Sequence, residues 1–141
     1  MRISLGTSAI AAGLALAPAA LAQAPLIHQV LPNDPQMALT MATVDLPPAG
    51  AGPVTTAGQA GHRHPAAVYA YVAKGAVLSR LGDEPERRYG AGEAWSETPL
   101  QPHYIVNASK TEPARLVVVL ISKADTKTLT EALPKVKELA K

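Results

Sequence analysis

Three of the four histidines in the chain have a spacing that suits a metal site. His62 and His64 are two residues apart, and side chains at positions i and i+2 of a strand point to the same face of a sheet. His103 follows 39 residues after His64 and would complete the set if its strand lies beside the first. Imidazole nitrogens are good ligands for Fe, Cu, Mn, Ni and Zn ions. The spacing therefore predicts a divalent metal site with these three ligands.

The residues around the histidines follow two short patterns that have glycines at their ends. The matching positions are His62, His64 and Gly75 in the first pattern and Gly92, His103 and Asn107 in the second. In these positions, over residues 52–121, the chain resembles the cupin superfamily. The resemblance implies a single double-stranded β-helix, the jelly-roll barrel of cupins, with the histidines around a metal ion. It also implies a dioxygenase-like activity, because some cupins with only histidine ligands are dioxygenases.

Four positions of the chain depart from the cupin patterns. Val68 stands where the family usually has a metal-binding glutamate, so the expected fourth ligand and any acid–base role of that glutamate are missing. Thr56 replaces the first glycine, Thr98 replaces a proline, and Leu100 replaces another glycine. Glycine serves where the backbone needs a positive φ or a close approach. These three replacements therefore affect the turns and leave the histidines in place.

The faces of the segment 67–73 decide which side chains surround the metal. If Val68 takes the usual ligand position, then Val68, Ala70 and Val72 face the barrel interior and make the pocket near the metal apolar. Tyr69 and Tyr71 then face away. A register shift of one residue exchanges the two faces of a strand, and in that alternative the phenol of Tyr69 would point at the metal.

A carboxylate that could replace the missing glutamate lies in the segment leading to His103. Glu97 has the same strand parity as Trp95, and its oxygen atoms suit all the metals considered. Glu97 is therefore a candidate fourth ligand, and the alternative is a solvated carboxylate at a strand end. We expect Trp95 to be a wall of the pocket or part of the core. Asn107 is expected to cap a turn through its side chain.

Short segments rich in β-branched and aromatic residues alternate with glycine and proline along the chain. They predict strands at 37–46, 54–56, 67–73, 76–81, 87–89, 93–97, 103–107 and 114–122. Many short strands at short spacing indicate an all-β sandwich or barrel. We assign residues 1–22 to a signal peptide, 23–36 to an extended N-terminal arm, 37–122 to the cupin barrel and 123–141 to a helical tail.

The C-terminal tail has a different pattern from the barrel. Apolar residues recur at helical spacing, at Leu129, Leu133, Val136 and Ala140. Thr128 and Glu131 match a capping box at the start of a helix, and Pro134 would kink that helix. The pattern predicts an amphipathic C-terminal α-helix.

The N-terminal segment has the features of a cleaved secretory signal. Arg2 precedes an apolar run over residues 10–21, and small residues at Ala20 and Ala22 suit cleavage after Ala22. A retained membrane anchor is the weaker alternative, because the run is short for a membrane span and rich in alanine. We therefore expect a periplasmic or secreted protein with no integral membrane segment after cleavage.

Composition limits the remaining possibilities. Removal of 22 of the 141 residues leaves about 119, enough for one domain. The absence of cysteine excludes disulfides, thiolate ligands and a cysteine nucleophile. The net charge is +2, and the basic residues have no interleaved aromatic residues, so nucleic acid is not an expected partner. The run 116–121 is apolar on both faces, which predicts a central strand and, on its outer side, a second copy of the chain in a homodimer.

Two functions suit these observations. The first is an exported metal-dependent enzyme, such as a dioxygenase of a small oxygen-chelating molecule. The second is a non-catalytic module of the same fold that binds a metal or a small-molecule ligand. A barrel that has lost its site is disfavoured by the intact histidines, and fold alone does not choose between the other two.

Overall fold

The computed structural model describes residues 25–49 and 61–133. These residues form ten strands, and they contain no helix. The strands are β1 (Ile27–Leu31), β2 (Asp34–Leu46), β3 (His62–Arg63), β4 (Ala67–Lys74), β5 (Ala76–Leu81), β6 (Arg87–Gly90), β7 (Ala94–Glu97), β8 (His103–Asn107), β9 (Ala114–Lys123) and β10 (Glu131–Ala132). The predicted all-β class is confirmed.

The strands pair into two five-stranded antiparallel sheets. Sheet A has the order β1-β2-β9-β4-β7, and sheet B has the order β10-β3-β8-β5-β6. Successive strands such as β4 and β5, or β8 and β9, belong to different sheets. The chain therefore crosses repeatedly between the sheets, as it does in a jelly roll. Strand β9 lies between β2 and β4, the central position predicted from its apolar sequence.

The core lies between the inner faces of the sheets. Along β4, Val68, Ala70 and Val72 are at most 2% exposed, whereas Tyr69 and Tyr71 are 53% and 47% exposed. This alternation is the two-residue period of a strand. Strand β4 therefore has its valine and alanine face inside the barrel and its tyrosine face outside, in the register set by Val68 at the family's ligand position.

Two of the motif glycines lie in turns with a backbone conformation that would be strained for other residues. Gly75, between β4 and β5, has a φ of 75°, and Gly92, before β7, has a φ of 92°. A Cβ atom on Gly75 would lie 3.0 Å from Cα of Ala114. Both the positive φ and the close backbone approach therefore require glycine at Gly75.

The segment assigned to an N-terminal arm contains the edge strand β1 of sheet A. Strand β1 pairs with β2 in a hairpin, with Gln29 opposite Leu39, and β2 itself begins at Asp34. The sheet therefore starts before residue 37, the boundary expected from the sequence.

The C-terminal helix is not found over residues 123–133, where the prediction was wrong. Strand β10 pairs there with β3, and Glu131, the expected capping residue, lies in that strand. Leu129 packs against Ala66, Val68 and Leu120 of the core. These tertiary contacts override the helical spacing of the apolar residues, since propensity is a weak preference that packing often outweighs.

Some predictions concern residues outside the described ranges. They are the signal peptide at 1–22, the strand at 54–56 and the part of the tail at 134–141. In the part of the chain that the structure describes, no helix is long and apolar enough to cross a membrane.

Candidate metal centre

The three predicted histidine ligands converge on one point of sheet B. His62 in β3 lies directly opposite His103 in β8, and His64 follows immediately after β3. The ring centroids of His62 and His64 are 4.9 Å apart, as are those of His62 and His103. One potential ligand atom from each histidine lies within 4.8 Å of the others. Two nitrogens bound to one ion lie at most about 4.2 Å apart, because each bond is about 2.1 Å, so small side-chain rotations would be needed for all three to hold an ion.

Strand β3 is only two residues long, and both of its neighbours hold it in place. On one side it pairs with β8, and on the other with β10, where Ala132 lies opposite His62. The backbone N–H of Leu133 donates to the carbonyl of Gly61, with an N–O distance of 2.7 Å. Arg63 points outward, and its Nε lies 2.8 Å from Oε2 of Glu131. The tail therefore positions the strand that carries His62.

A turn after β7 fixes the backbone of His64. The N–H of Leu100 donates to the carbonyl of His64, with an N–O distance of 2.7 Å. Leu100 has a φ of 64° and is the only non-glycine residue with a positive φ in the described ranges. It stands where the cupin pattern has glycine, so this turn has a left-handed conformation at a residue that is strained in it.

The hydrogen bonds of His64 determine which of its ring nitrogens would be available to a metal ion. Nδ1 of His64 lies 2.6 Å from the backbone oxygen of Leu129 and 3.3 Å from Oγ1 of Thr130. A carbonyl oxygen can only accept, so Nδ1 carries the proton and donates to Leu129. Nε2 of His64 therefore keeps a free lone pair, the arrangement that partners of metal-binding histidines commonly impose.

Glu97 is buried beside His103. Its Oε1 accepts a hydrogen bond from Nε1 of Trp95 at 3.0 Å and lies 3.1 Å from Nδ1 of His103. Nδ1 of His103 and Oε2 of Glu97 nevertheless have no hydrogen-bond partner among the described residues. The approach of Oε1 to Nδ1 is therefore a close contact without a hydrogen bond.

Burial shifts the pKa values of both residues of this pair. Burial, together with smaller effects of the neighbouring His62 and His64, lowers the pKa of His103 to about 3. Burial also raises the pKa of Glu97, while the Trp95 hydrogen bond and nearby His64 oppose this change. His103 is therefore neutral near pH 7, so its contact with Glu97 is not an ion pair. A neutral imidazole is the form that binds a metal.

Glu97 lies next to the histidine cluster but is not a member of it. It is directly opposite Val68 on the paired strands β4 and β7, on the same inner face. The carboxylate thus approaches the site from the strand beside the one that carries the family's glutamate, and it meets His103. A buried carboxylate oxygen without a partner beside three imidazoles fits a site for a cation.

The four predicted pocket residues are divided between two parts of the core. Val68 packs with Ala66 and Leu120, beneath Leu129. The other three, Ala70, Val72 and Trp95, belong to the larger cluster, which also contains Leu46, Val77, Ala114 and Leu116. The ring of Trp95 lies 6.0 Å from that of His103 and 4.8 Å from that of Tyr89. Trp95 therefore connects the histidine site to the core.

The second motif also contains a residue with a structural role. Nδ2 of Asn107 donates to the backbone oxygens of Leu46 and Glu112, and its Oδ1 accepts from the N–H of Ser109. Asn107 therefore holds the turn between β8 and β9 and ties it to the end of β2, away from the metal ligands.

Sequence reasoning missed Ser79 and the tail residues around His64. Oγ of Ser79 lies 2.9 Å from Nε2 of His103, and Ser79 is buried. A serine in the otherwise apolar half of β5 was the available signal, because buried hydroxyls need a hydrogen-bond partner. The contact of His64 with Leu129 joins residues 65 positions apart and had no signal in the spacing.

Comparison with known proteins agrees with the fold. A family model described as a cupin domain matches residues 43–120, more than half of the chain. The chain belongs to the cupin family. No curated protein matches the sequence of this cupin.

Solved structures show the same fold at low sequence identity. An uncharacterised conserved protein with a double-stranded β-helix domain from Klebsiella pneumoniae is 17% identical, with a TM-score of 0.55, over 79% of this chain and 82% of that one. The DMSP lyase DddQ of Ruegeria pomeroyi is 20% identical, with a TM-score of 0.53, over 67% and 42% of the two chains. A formate complex of Lactobacillus farciminis oxalate decarboxylase is 19% identical, with a TM-score of 0.52, over 67% and 26%. This cupin thus covers less than half of each of these two enzymes.

Proposed function

We propose that this chain is an exported small cupin that binds a divalent metal ion through His62, His64 and His103. The remaining positions of the ion would take a small oxygen-chelating molecule. The observation that carries the proposal is the convergence of three imidazoles within 4.8 Å of one another inside a cupin barrel. The neutral state of His103 and the proton on Nδ1 of His64 support it, because both leave lone pairs for a metal.

The neutral ligand set favours an anionic second ligand. Three imidazoles leave the charge of a divalent ion uncompensated, so a bidentate oxygen anion or a water of lowered pKa suits the open positions. A bound Fe, Cu, Mn, Ni or Zn ion would supply Lewis acidity, and the redox-active ions among them would supply dioxygenase chemistry. We therefore propose a metal-dependent oxygenase-like activity as the first candidate.

A non-catalytic binding module is the second candidate, and Val68 favours it. A valine at the family's glutamate position, 2% exposed, cannot move a proton. Glu97 compensates only in part, because its Oε1 accepts the Trp95 hydrogen bond and faces His103. Tight zinc without oxygen consumption would favour this candidate, and a redox-active metal with oxygen uptake would favour the enzyme.

Elemental analysis of the untagged mature protein tests the metal site. We expect about one first-row metal ion per chain. His62→Ala and His103→Ala should lose most of it, whereas the control His28→Ala, in strand β1, should keep it. Full metal content in both site variants would refute the proposal.

Glu97→Gln separates two roles of the carboxylate. If Glu97 only orients His103, we expect metal affinity to fall about 10- to 100-fold with unchanged stoichiometry, as for other partners of ligand histidines. A direct ligand role predicts in addition a changed spectrum of the bound cobalt ion, because an oxygen donor is lost. The Glu97→Gln variant is purified without a refolding step and is measured under the same conditions as the wild type.

Export is a separate part of the proposal. The apolar run after Arg2 and the small residues before Gln23 support cleavage of residues 1–22. Intact-mass analysis of protein from the periplasm or medium should find Gln23 at the N-terminus. An uncleaved chain that stays in the cytoplasm would contradict export and leave the metal site unaffected.

We also propose a homodimer through the outer face of sheet A. This face has an apolar groove whose lining includes Met41, Tyr69, Tyr71, Val117 and Val119. Contiguous exposed apolar surface commonly marks an interaction site. A second copy is the proposed occupant, because the central strand β9 is apolar on its outer side as well as its inner side.

A further inference from the structure

Ser79 lies at the metal site but belongs to neither cupin motif. It is on the inner face of β5, 3% exposed, and its Oγ is 2.9 Å from Nε2 of His103. Strand β5 pairs with β8, with Ser79 opposite Ile105 and Leu81 opposite His103. Ser79 therefore lies on the strand beside His103, two residues along β5 from the position opposite that histidine. Among the described residues, Oγ of Ser79 has no other hydrogen bond.

The contact with Ser79 and a metal ion compete for the same lone pair. Nδ1 of His103 faces the carboxylate of Glu97, which favours a proton on Nδ1 and leaves the lone pair on Nε2. With the proton on Nδ1, the hydroxyl of Ser79 donates to that lone pair. A metal ion bound to Nε2 would take it, so Ser79 would then need another acceptor, because an unpaired buried hydroxyl is unfavourable.

We infer that the hydroxyl of Ser79 donates a hydrogen bond to an oxygen atom of the small molecule that binds beside His103 at the metal. The inference rests on the proposed metal site and names one of its ligand-recognition groups. Two donors at adjacent positions of one ion lie about 3 Å apart, given bonds of about 2.1 Å. An oxygen bound next to Nε2 is therefore at a distance that Oγ, 2.9 Å from Nε2, can reach by rotation of its side chain.

This role selects a class of ligand. A donor fixed beside an open position favours an oxygen anion, such as a carboxylate or an enolate, because hydrogen bonds to charged acceptors are the stronger ones. A ligand that binds through nitrogen and offers no oxygen gains nothing from Ser79. Small oxyanions are thus the chemical class that Ser79 helps the site to recognise.

A direct ligand role for Ser79 makes the opposite prediction for metal binding. If Oγ coordinated the ion, Ser79→Ala would lower metal affinity. In the role inferred here, Ser79→Ala leaves metal affinity unchanged or raises it severalfold, because a competing hydrogen bond to His103 is lost. Ser79→Ala is therefore expected to weaken anion binding without weakening metal binding.

The test uses the cobalt-loaded protein and two probe ligands. Cobalt content is measured first, and acetate and imidazole are then titrated while the visible spectrum of the cobalt ion is followed. In Ser79→Ala, we expect the Kd for acetate to rise about tenfold and the Kd for imidazole to stay within about twofold. Ser79→Thr keeps the hydroxyl and should bind acetate like the wild type. Ser96→Ala, on the outer face of β7, is the matched control.

Each outcome decides between the two proposals. If the wild type binds no cobalt, the metal site is refuted, and the role of Ser79 is refuted with it. If all variants bind cobalt but Ser79→Ala binds acetate as tightly as the wild type, only the role of Ser79 is refuted. Loss of cobalt from Ser79→Ala would make Ser79 a ligand and also overturn the inference. If Ser79→Ala does not fold, the pair Ser79→Thr and Ser79→Val, which differ by a hydroxyl and a methyl group, gives the same comparison.

Discussion

Acid should destabilise the metal-free protein through His103. The pKa of a histidine is 6.5 in the reference state and about 3 for His103 in the fold. Between these values the unfolded chain binds a proton at this residue and the folded chain does not. The contribution of neutral His103 to the stability of the fold is therefore fully present above the unfolded pKa and is lost as the pH falls between these two values. From about pH 7.5 to about pH 5, linkage gives a loss of about 2 kcal/mol in the free energy of unfolding.

Glu97 acts in the opposite direction. Its pKa is raised in the fold, so the folded chain holds a proton more tightly than the unfolded chain does. The stability from this carboxyl is present at low pH and is lost as the pH rises through its folded pKa. The net slope of the wild type therefore combines two opposite contributions, and a single-residue comparison is needed to isolate His103.

Urea unfolding of the metal-free wild type and of His103→Gln, each at the two pH values, isolates the histidine. We expect the wild type to lose about 2 kcal/mol more than the variant on acidification. The same difference should persist in a Glu97→Gln background, where the opposing carboxyl is gone. His28→Gln controls for the loss of an imidazole elsewhere. Equal losses in the wild type and His103→Gln would refute a neutral, buried His103.

Two further predictions concern the turn and the outer face. Leu100→Gly should raise the free energy of unfolding in urea by up to about 1 kcal/mol. A left-handed conformation costs a non-glycine residue about 1–2 kcal/mol, and the greater backbone entropy of glycine in the unfolded chain offsets part of this gain. Destabilisation would show that the φ of 64° is not strained. Tyr71→Lys should convert the proposed dimer to a monomer in sedimentation velocity, whereas Leu100→Lys, also at an exposed position, should not; a monomeric wild type would contradict the dimer.

The parts of the site that sequence could predict are those set by local spacing. His62 and His64 share a strand face, and the opposition of His62 to His103 follows from the antiparallel pairing of β3 and β8. Gly75 and Gly92 could be placed in turns, because a positive φ is a local property of the backbone. The alternation of β4 likewise gave its inner and outer faces.

The tail could not be predicted because its structure depends on distant partners. Leu129 and Leu133 have helical spacing, yet the intervening Glu131 and Ala132 form a strand of two residues against β3. A strand of two residues is too short to show an alternating pattern in the sequence. Its pairing with β3 supplies tertiary contacts, whereas a short helix is only marginally stable without such packing. The loss of the predicted helix and the unpredicted support of His64 by Leu129 thus have the same cause.

The position of Glu97 changes how the missing glutamate should be understood. Directly opposed residues in an antiparallel pair have Cβ atoms about 5 Å apart. Glu97 therefore brings a carboxyl group from the neighbouring strand close to Val68, the position at which the family has its glutamate. There it faces Nδ1 of His103, and the Trp95 hydrogen bond holds it. A carboxylate in this position raises the basicity of a ligand histidine without neutralising the ion directly. When Glu97 is ionised, it would place a negative charge beside His103 without binding the ion, which would leave the ion's own charge for the anionic ligand that the proposed recognition by Ser79 requires.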